Sequence, residues 1–212
     1  MVKVEQLVGW KEAYIEALNT ENKDPKELKE PSNKWKKSML IAEHSPIRIP
    51  TYRFFWSEIP YWVAMHLVRH HVGVQPFVGT QRDDRNNEFE IVKLSFFEKL
   101  LNWLGNTFYS QKPFGVTSRK KKPQDTPVRL SMVLNANAVI NISKERLCKC
   151  ASKETRDAWQ EALTELSKVD SVLYWVCVPK CLYRGFCPER KSCGYINTTD
   201  YTVKLGNYRT KL

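Results

Sequence analysis

The chain has 212 residues, a mass of 24.9 kDa and a formal net charge of +11, from 34 basic and 23 acidic side chains. This length predicts a single domain spanning residues 1–212 and is too short for two ordinary domains. No apolar run is long enough to span a membrane, and the start Met-Val-Lys-Val-Glu lacks the apolar core of a signal peptide. We therefore expect a cytoplasmic protein without a membrane partner.

The excess of basic residues predicts anionic partners, which are either nucleic acid or phosphorylated metabolites and cofactors. An enzyme for small anions gathers its arginines in one cavity, whereas a nucleic-acid binder spreads them over a face with exposed aromatics. Arg69 and Arg146 lie in segments of apolar periodicity. This favours a cavity, and nucleic acid is the less expected partner.

The first quarter of the chain predicts two helices followed by strands. Apolar residues recur at helical spacing from Leu7 through Trp10 to Leu18, which indicates an amphipathic helix. A turn at residues 22–25 then leads into a short helix rich in Lys and Glu. Residues 38–56 are rich in Ile, Tyr, Phe and Trp and are broken by prolines, which favours strands at the edge of a sheet.

Residues 59–71 combine a helix signal with a concentration of basic side chains. Pro60 suits the first turn of a helix, and Tyr61, Trp62, Met65 and Val68 predict its buried face. His66, Arg69 and His70 stand at i, i+3 and i+4, so they project together and can offer donors and positive charge to a phosphate. The alternative is a helix C-terminus at which basic side chains meet the helix dipole.

The middle of the chain is polar, then helical, then rich in Lys and Pro. The strongly polar stretch that begins at Thr80 predicts a loop or strand end, and Arg82 within it is a candidate ligand for a substrate phosphate. Apolar spacing over residues 91–104 predicts an amphipathic helix. Residues 110–127 predict a linker or lid.

Residues 135–168 form the longest helical pattern of the chain, and Arg146 lies on its inner face. An unpaired buried charge costs on the order of several kcal/mol, so this arginine must find an anion or a hydrogen-bond acceptor. Arg146 is therefore the strongest single functional candidate.

A cysteine-rich segment occupies residues 175–195. Cys177, Cys181, Cys187 and Cys193 lie among Gly and Pro residues, with gaps of three, five and five residues, and such thiolates can converge on zinc or an iron–sulfur cluster. The alternative is a set of free thiols, since these gaps lack the two-residue spacing of a zinc knuckle and disulfides are disfavoured in a reducing cytosol.

Two motifs resemble the signature of flavin-dependent thymidylate synthases. Arg69-His70 match the start of the family's Arg-His-Arg motif. Asn135-Ala136, Arg146 ten residues later, and the run from Ala151 to Arg156 match its second motif at the family's spacing. Departures are His71 for the second arginine, His66 for a pyrimidine-contacting glutamine, and a missing Asn-Glu pair, which indicate a divergent, phage-type branch.

This resemblance implies an α+β fold with a mixed or antiparallel sheet and long helices, assembled as a homotetramer. It implies reductive methylation of dUMP to dTMP with FAD, NADPH and methylenetetrahydrofolate. Nucleotide contacts would come from His66, Thr80, Gln81, Arg82 and Arg146, with Arg146 as the catalytic residue. Flavin contacts would come from Arg69, His70, His71 and Asn135.

Two other functions remain open. One keeps the fold and changes the substrate, so that a flavin enzyme modifies C5 of another pyrimidine nucleotide, such as dCMP, or adds a hydroxymethyl group. The other is a non-catalytic basic protein that binds nucleotide or nucleic acid, in which the altered motifs have abolished flavin binding.

Overall fold

The computed structural model of the chain describes residues 1–24, 29–81 and 122–210. The strands and helices are β1 (Val2–Val8), α1 (Trp10–Thr20), α2 (Asn33–Ile41), β2 (Thr51–Pro60), α3 (Tyr61–Leu67), β3 (Val74–Val78), β4 (Pro127–Asn135), α4 (Ala136–Arg146), α5 (Lys153–Val169), α6 (Ser171–Val176), α7 (Lys180–Arg184) and α8 (Thr199–Thr210), with short 3₁₀ helices at Ser45–Arg48 and Tyr195–Asn197. None of the described helices has the length and apolar character needed to cross a membrane.

A four-stranded antiparallel sheet in the order β1-β2-β4-β3 forms the centre of the fold. Alternate residues of β2 and β4 are buried on one face, which carries Tyr52, Phe54 and Trp56 from β2. Trp159 of α5 stacks on this face, with its ring centroid 5.4 Å from that of Phe54. The predicted α+β class with an antiparallel sheet is thereby confirmed.

A buried carboxylate ties three segments together beneath the sheet. Asp170 accepts hydrogen bonds from Trp10 Nε1 and the Tyr52 hydroxyl, both at 2.6 Å, and from the Leu173 backbone N–H at 2.8 Å. The last of these caps the start of α6. Because all three donors are fixed by separate elements, this one side chain aligns α1, β2 and α6.

Three predictions for the first third of the chain are wrong in detail. Leu7 belongs to β1 and not to the first helix, which begins at Trp10. The first part of the segment predicted as edge strands is helical in α2, and β2 lies inside the sheet with β1 and β4 on its two sides. Tertiary pairing on both edges of β2 outweighs the breaks that Pro46 and Pro50 place before it.

The helices that carry the basic residues also differ from their predicted form. The fully buried face of α3 consists of Val63, Ala64 and Leu67, whereas the predicted aromatic face is only half-buried. The long helix predicted over residues 135–168 is two helices, because the chain turns after Arg146 and restarts at Ser152. Arg156 stabilises this turn by donating to the Ala151 carbonyl at 3.3 Å.

The predicted helix over residues 91–104, the lid up to residue 121 and part of the helix near residue 25 lie outside the described residues. The single domain over residues 1–212 stays a prediction. Besides the main core, a smaller apolar cluster forms around Cys181, Leu182, Tyr195 and Tyr201 at the C-terminal end of the chain.

Candidate active site

Basic side chains from two helix ends meet beside the sheet and form what we call the basic cluster: His66, Arg69, His70, His71 and Arg146. His66 lies in the last turn of α3, and the chain leaves that helix through a turn in which the His70 N–H bonds to the Leu67 carbonyl. Arg146 is the last residue of α4. Both helices therefore present positive charge at their C-terminal ends, where the helix dipole stabilises it.

Arg146 is held by two hydrogen bonds to the segment that follows α3. Its Nε donates to His70 Nε2 at 3.0 Å, and its Nη2 donates to the His66 carbonyl oxygen at 2.6 Å. The structure therefore brings Arg146 into contact with the segment that carries His66 and His70. Two-point fixation orients the planar guanidinium, which is how arginine is prepared to receive a phosphate or a carbonyl oxygen.

The electrostatics of this cluster disfavour further positive charge. Desolvation, followed by the charge of Arg146, lowers the pKa of His70 to about 4. Desolvation, then Arg146 and Arg69, also lowers the pKa of His66. His70 is therefore neutral near pH 7, and because its Nε2 accepts from Arg146, its proton resides on Nδ1.

The positive charges of Arg69 and Arg146 make the cluster suited to an anion. Arg69 and His71 are exposed beside the half-buried His70 and Arg146. A bound dianion would offset the repulsion that these groups exert on one another, so the site gains more from an anion than a lone surface arginine would.

A buried hydroxyl that the sequence did not reveal supports His66. The His66 Nδ1 lies 3.1 Å from the hydroxyl of Thr155, which is fully buried, and the Ser152 hydroxyl donates to the same oxygen at 2.7 Å. Thr155 stands one turn before Trp159 on the inner face of α5. The only feature of the sequence that could have identified Thr155 is its hydroxyl at an inward position of an amphipathic helix.

Asn135 caps the helix that carries Arg146. Its side-chain oxygen accepts from the Ala138 N–H at 2.9 Å, and its own N–H donates to the Gly73 carbonyl at 3.1 Å. Gly73 has φ +70°, and a β-carbon placed there would lie 2.6 Å from the Asn135 carboxamide. Glycine at this position therefore allows the turn after the basic cluster to close against the start of α4.

Thr80 and Gln81 lie at the other end of β3 from this turn. Val74 pairs with Leu134, next to Asn135, whereas Gly79 bonds to Arg129 near the start of β4. At about 3.3 Å per strand residue, the six residues from Gly73 to Gly79 span roughly 20 Å along the strand direction, and Thr80 and Gln81 follow Gly79. Within one chain, Thr80 and Gln81 are therefore not beside Asn135, and Arg82 lies outside the described residues.

The cysteines fall into two places. Cys177 is buried in the main core and donates to the Leu173 carbonyl at 3.3 Å. Cys181, Cys187 and Cys193 line a separate small cavity together with Cys148. In the described part of the chain, no three His, Cys, Asp or Glu side chains are arranged to hold a metal ion as they stand.

The chain resembles known proteins in sequence and in fold. No protein-family profile matches the chain. A curated protein of Clostridium tetani named flavin-dependent thymidylate synthase is 24% identical over 185 residues, which is 74% of each chain. The predicted resemblance to this family is confirmed.

Solved structures agree on the fold. The crystal structure of the UMP/dUMP methylase PolB from Streptomyces cacaoi with 5-Br dUMP has a TM-score of 0.56 at 13% identity, over 88% of this chain and 96% of PolB. PolB with 5-Br UMP gives a TM-score of 0.53 at 14% identity, over 83% and 93% of the two chains. At these identities the match establishes the fold of the chain, and the chemistry has to be argued from its own residues.

Proposed function

We propose that the protein is a flavin-dependent methyltransferase that converts dUMP to dTMP in the cytoplasm. The observation that carries the proposal is the two-point fixation of Arg146 by His70 and the His66 carbonyl within the basic cluster. The resemblance to flavin-dependent thymidylate synthases and the fold shared with PolB support this assignment.

Arg146 is the proposed catalytic residue and the main nucleotide contact. Its guanidinium carries a full charge, and the hydrogen bonds made by Nε and one Nη atom leave the remaining N–H groups to approach the pyrimidine or its phosphate. His66, held in place by Thr155, would contact the pyrimidine base. Thr80, Gln81 and Arg82 would complete the nucleotide contacts. Binding energy spent on orientation is the main contribution that such a site makes to the rate.

FAD is the proposed cofactor, held by Arg69, His70, His71 and Asn135. Exposed Arg69 and His71 suit a diphosphate, while the closed turn at Gly73 brings the backbone near Asn135 without a side chain between them. Bound FAD, reduced by NADPH, would supply the hydride of the reaction, and methylenetetrahydrofolate would supply the carbon.

The proposal includes a homotetramer, because the predicted nucleotide contacts at Thr80 and Gln81 lie far from the basic cluster within one chain. Thr80 and Gln81 follow Gly79, which is roughly 20 Å along β3 from the turn at Gly73, so a nucleotide bound at the basic cluster would take these contacts from a neighbouring subunit. Val72, just before this strand, and Phe77, within it, are 81% and 60% exposed and supply apolar surface for such a contact. Light scattering at several protein concentrations tests this assembly.

UMP is the second candidate substrate. The PolB structures hold analogues of both dUMP and UMP, and the chain has His66 where the resembling family has a pyrimidine-contacting glutamine. dCMP, suggested by the same substitution, belongs in the same comparison.

The visible absorption spectrum tests the cofactor and the substrates together. After FAD is added and the excess is removed, we expect a retained flavin band that shifts on titration with dUMP, and more weakly with UMP or dCMP. A stronger response to UMP or dCMP would reassign the substrate. Absence of flavin, with salt-sensitive DNA binding instead, would favour the non-catalytic binding protein.

A further inference from the structure

The small cavity near the C-terminal end is lined by four cysteines from two separate segments. Cys148 comes from the turn between α4 and α5, and Cys181, Cys187 and Cys193 come from α7 and the turns after it. The cavity has a volume of about 10 Å³. That is room for roughly one water-sized body.

The backbone around these thiols turns sharply. Gly185 and Gly194 adopt left-handed conformations with φ +81° and +77°, which places Cys187 and Cys193 on tight turns. Left-handed glycines let short loops fold back so that cysteines distant in sequence approach each other. The segment has little apolar core of its own, because its cluster contains only a few buried side chains.

The four thiols of Cys148, Cys181, Cys187 and Cys193 line one cavity. Cys177 is not part of this group, because its thiol is engaged with Leu173 in the main core.

We propose that Cys148, Cys181, Cys187 and Cys193 form a structural zinc site that fastens the C-terminal segment to the turn following Arg146. Four thiolates are a complete ligand set for structural zinc. The thiols line the same cavity, but among the described residues no three His, Cys, Asp or Glu side chains are arranged to hold a metal ion. Metal binding therefore requires the thiols to move closer together than they stand.

Lysines around the cavity suit the charge of such a site. Four thiolates and one Zn²⁺ carry a net negative charge, and Lys149 and Lys180 both line the cavity. Lys149 Nζ lies 4.0 Å from the Tyr195 ring centroid, and Lys180 pairs with Glu145 and Glu189. The ligand set differs from the one predicted from sequence alone, because Cys148 takes the place of Cys177.

The test is metal analysis of the full-length protein purified under reducing conditions without chelator. We expect about one zinc per chain for the wild type, the same content for Cys177→Ser, and loss of zinc for Cys148→Ser and Cys193→Ser. Cys177→Ser is the matched control, because it removes a buried thiol outside the cavity. The readout does not depend on methyltransferase activity.

Cobalt substitution keeps the proposal testable if a cysteine variant fails to fold. Metal-stripped wild-type protein titrated with Co²⁺ should develop the charge-transfer and ligand-field bands of tetrahedral thiolate coordination, with saturation at about one equivalent. Zinc lost from Cys177→Ser but kept by Cys148→Ser would overturn the ligand set. Bound iron with visible absorption, a disulfide detected by mass, or no saturable binding of Zn²⁺ or Co²⁺ would overturn the site itself.

Discussion

Replacing Arg146 with alanine is the sharpest perturbation of the proposed active site. The change removes donors that bond His70 Nε2 at 3.0 Å and the His66 carbonyl at 2.6 Å, together with the proposed contact to the nucleotide. A hydrogen bond from a charged donor contributes about 1.5–3 kcal/mol, so losing a two-point contact to substrate costs about 3–6 kcal/mol. With about 1.4 kcal/mol per tenfold change, kcat/KM for dUMP should fall roughly 10²–10⁴-fold.

The assay is dTMP formation at saturating FAD and subsaturating dUMP, with circular dichroism and flavin absorption on the same samples. We expect Arg146→Ala to keep its fold and its flavin. Arg146→Lys should recover part of the rate, because an ammonium retains charge but not the planar two-point donation. Arg156→Ala is the matched control, since that arginine bonds the Ala151 and Lys149 carbonyls in the adjacent turn.

The reasoning would be refuted if Arg146→Ala retained kcat/KM within about threefold of wild type while binding flavin normally. It would also be refuted if Arg156→Ala lost as much activity as Arg146→Ala with an intact fold. In the first case the guanidinium has a structural role only. In the second, the whole turn between α4 and α5 matters, and not the specific contact of Arg146.

Three further predictions concern charge, burial and backbone. Because the pKa of His70 in the folded chain is lowered to about 4, the unfolded chain binds a proton that the folded chain does not as the pH falls below 6.5, and the free energy of unfolding should decline between pH 6.5 and 4. Urea unfolding should show a flatter decline for His70→Gln than for the wild type. An equal slope for the two proteins would contradict the assignment. Asp170→Asn weakens a buried acceptor of three hydrogen bonds and should lower stability by about 2–4 kcal/mol in the same assay, whereas a change below about 0.5 kcal/mol would contradict the role given to this carboxylate. Gly73→Ala forces a β-carbon against Asn135 and should weaken FAD binding. The measurements are the flavin affinity and the melting temperature of the variant. Flavin affinity equal to that of the wild type would rule out this role for the turn.

Strand β2 and the charged end of α3 were predictable because local chemistry and tertiary structure agree there. The alternating aromatics of β2 read as a strand, and the histidines and arginine at helical spacing read as a charged helix end. Arg146 was identifiable because a charge on the inner face of a helix needs a partner, which the structure supplies in His70 and the His66 carbonyl.

The failures have equally local causes. The break between α4 and α5 was missed because Leu147 and Cys150 continue the apolar pattern through a turn that Arg156 stabilises by bonding carbonyls. β4 was missed because it follows a segment rich in Lys and Pro, and its pairing partners are distant in sequence. Long-range contacts decide such cases, and single-sequence periodicity does not contain them.

The site was incompletely predicted for a related reason. Thr155 was not singled out, because a buried threonine in a helix looks like an ordinary core residue until His66 is seen beside it. Cys177 was grouped with Cys181, Cys187 and Cys193 as a possible metal ligand, because proximity in sequence was the only guide. The turns at Gly185 and Gly194 bring the C-terminal cysteines to Cys148 and leave Cys177 in the main core.

The most direct test of the central claim is transfer of an isotopically labelled methylene carbon from methylenetetrahydrofolate to dUMP, followed by mass analysis of the nucleotide. With FAD and NADPH present, the account predicts labelled dTMP at a rate that falls to background when FAD is omitted. Unlabelled dUMP recovered intact from flavin-loaded wild-type protein, under conditions in which a known flavin-dependent thymidylate synthase turns over, would contradict it.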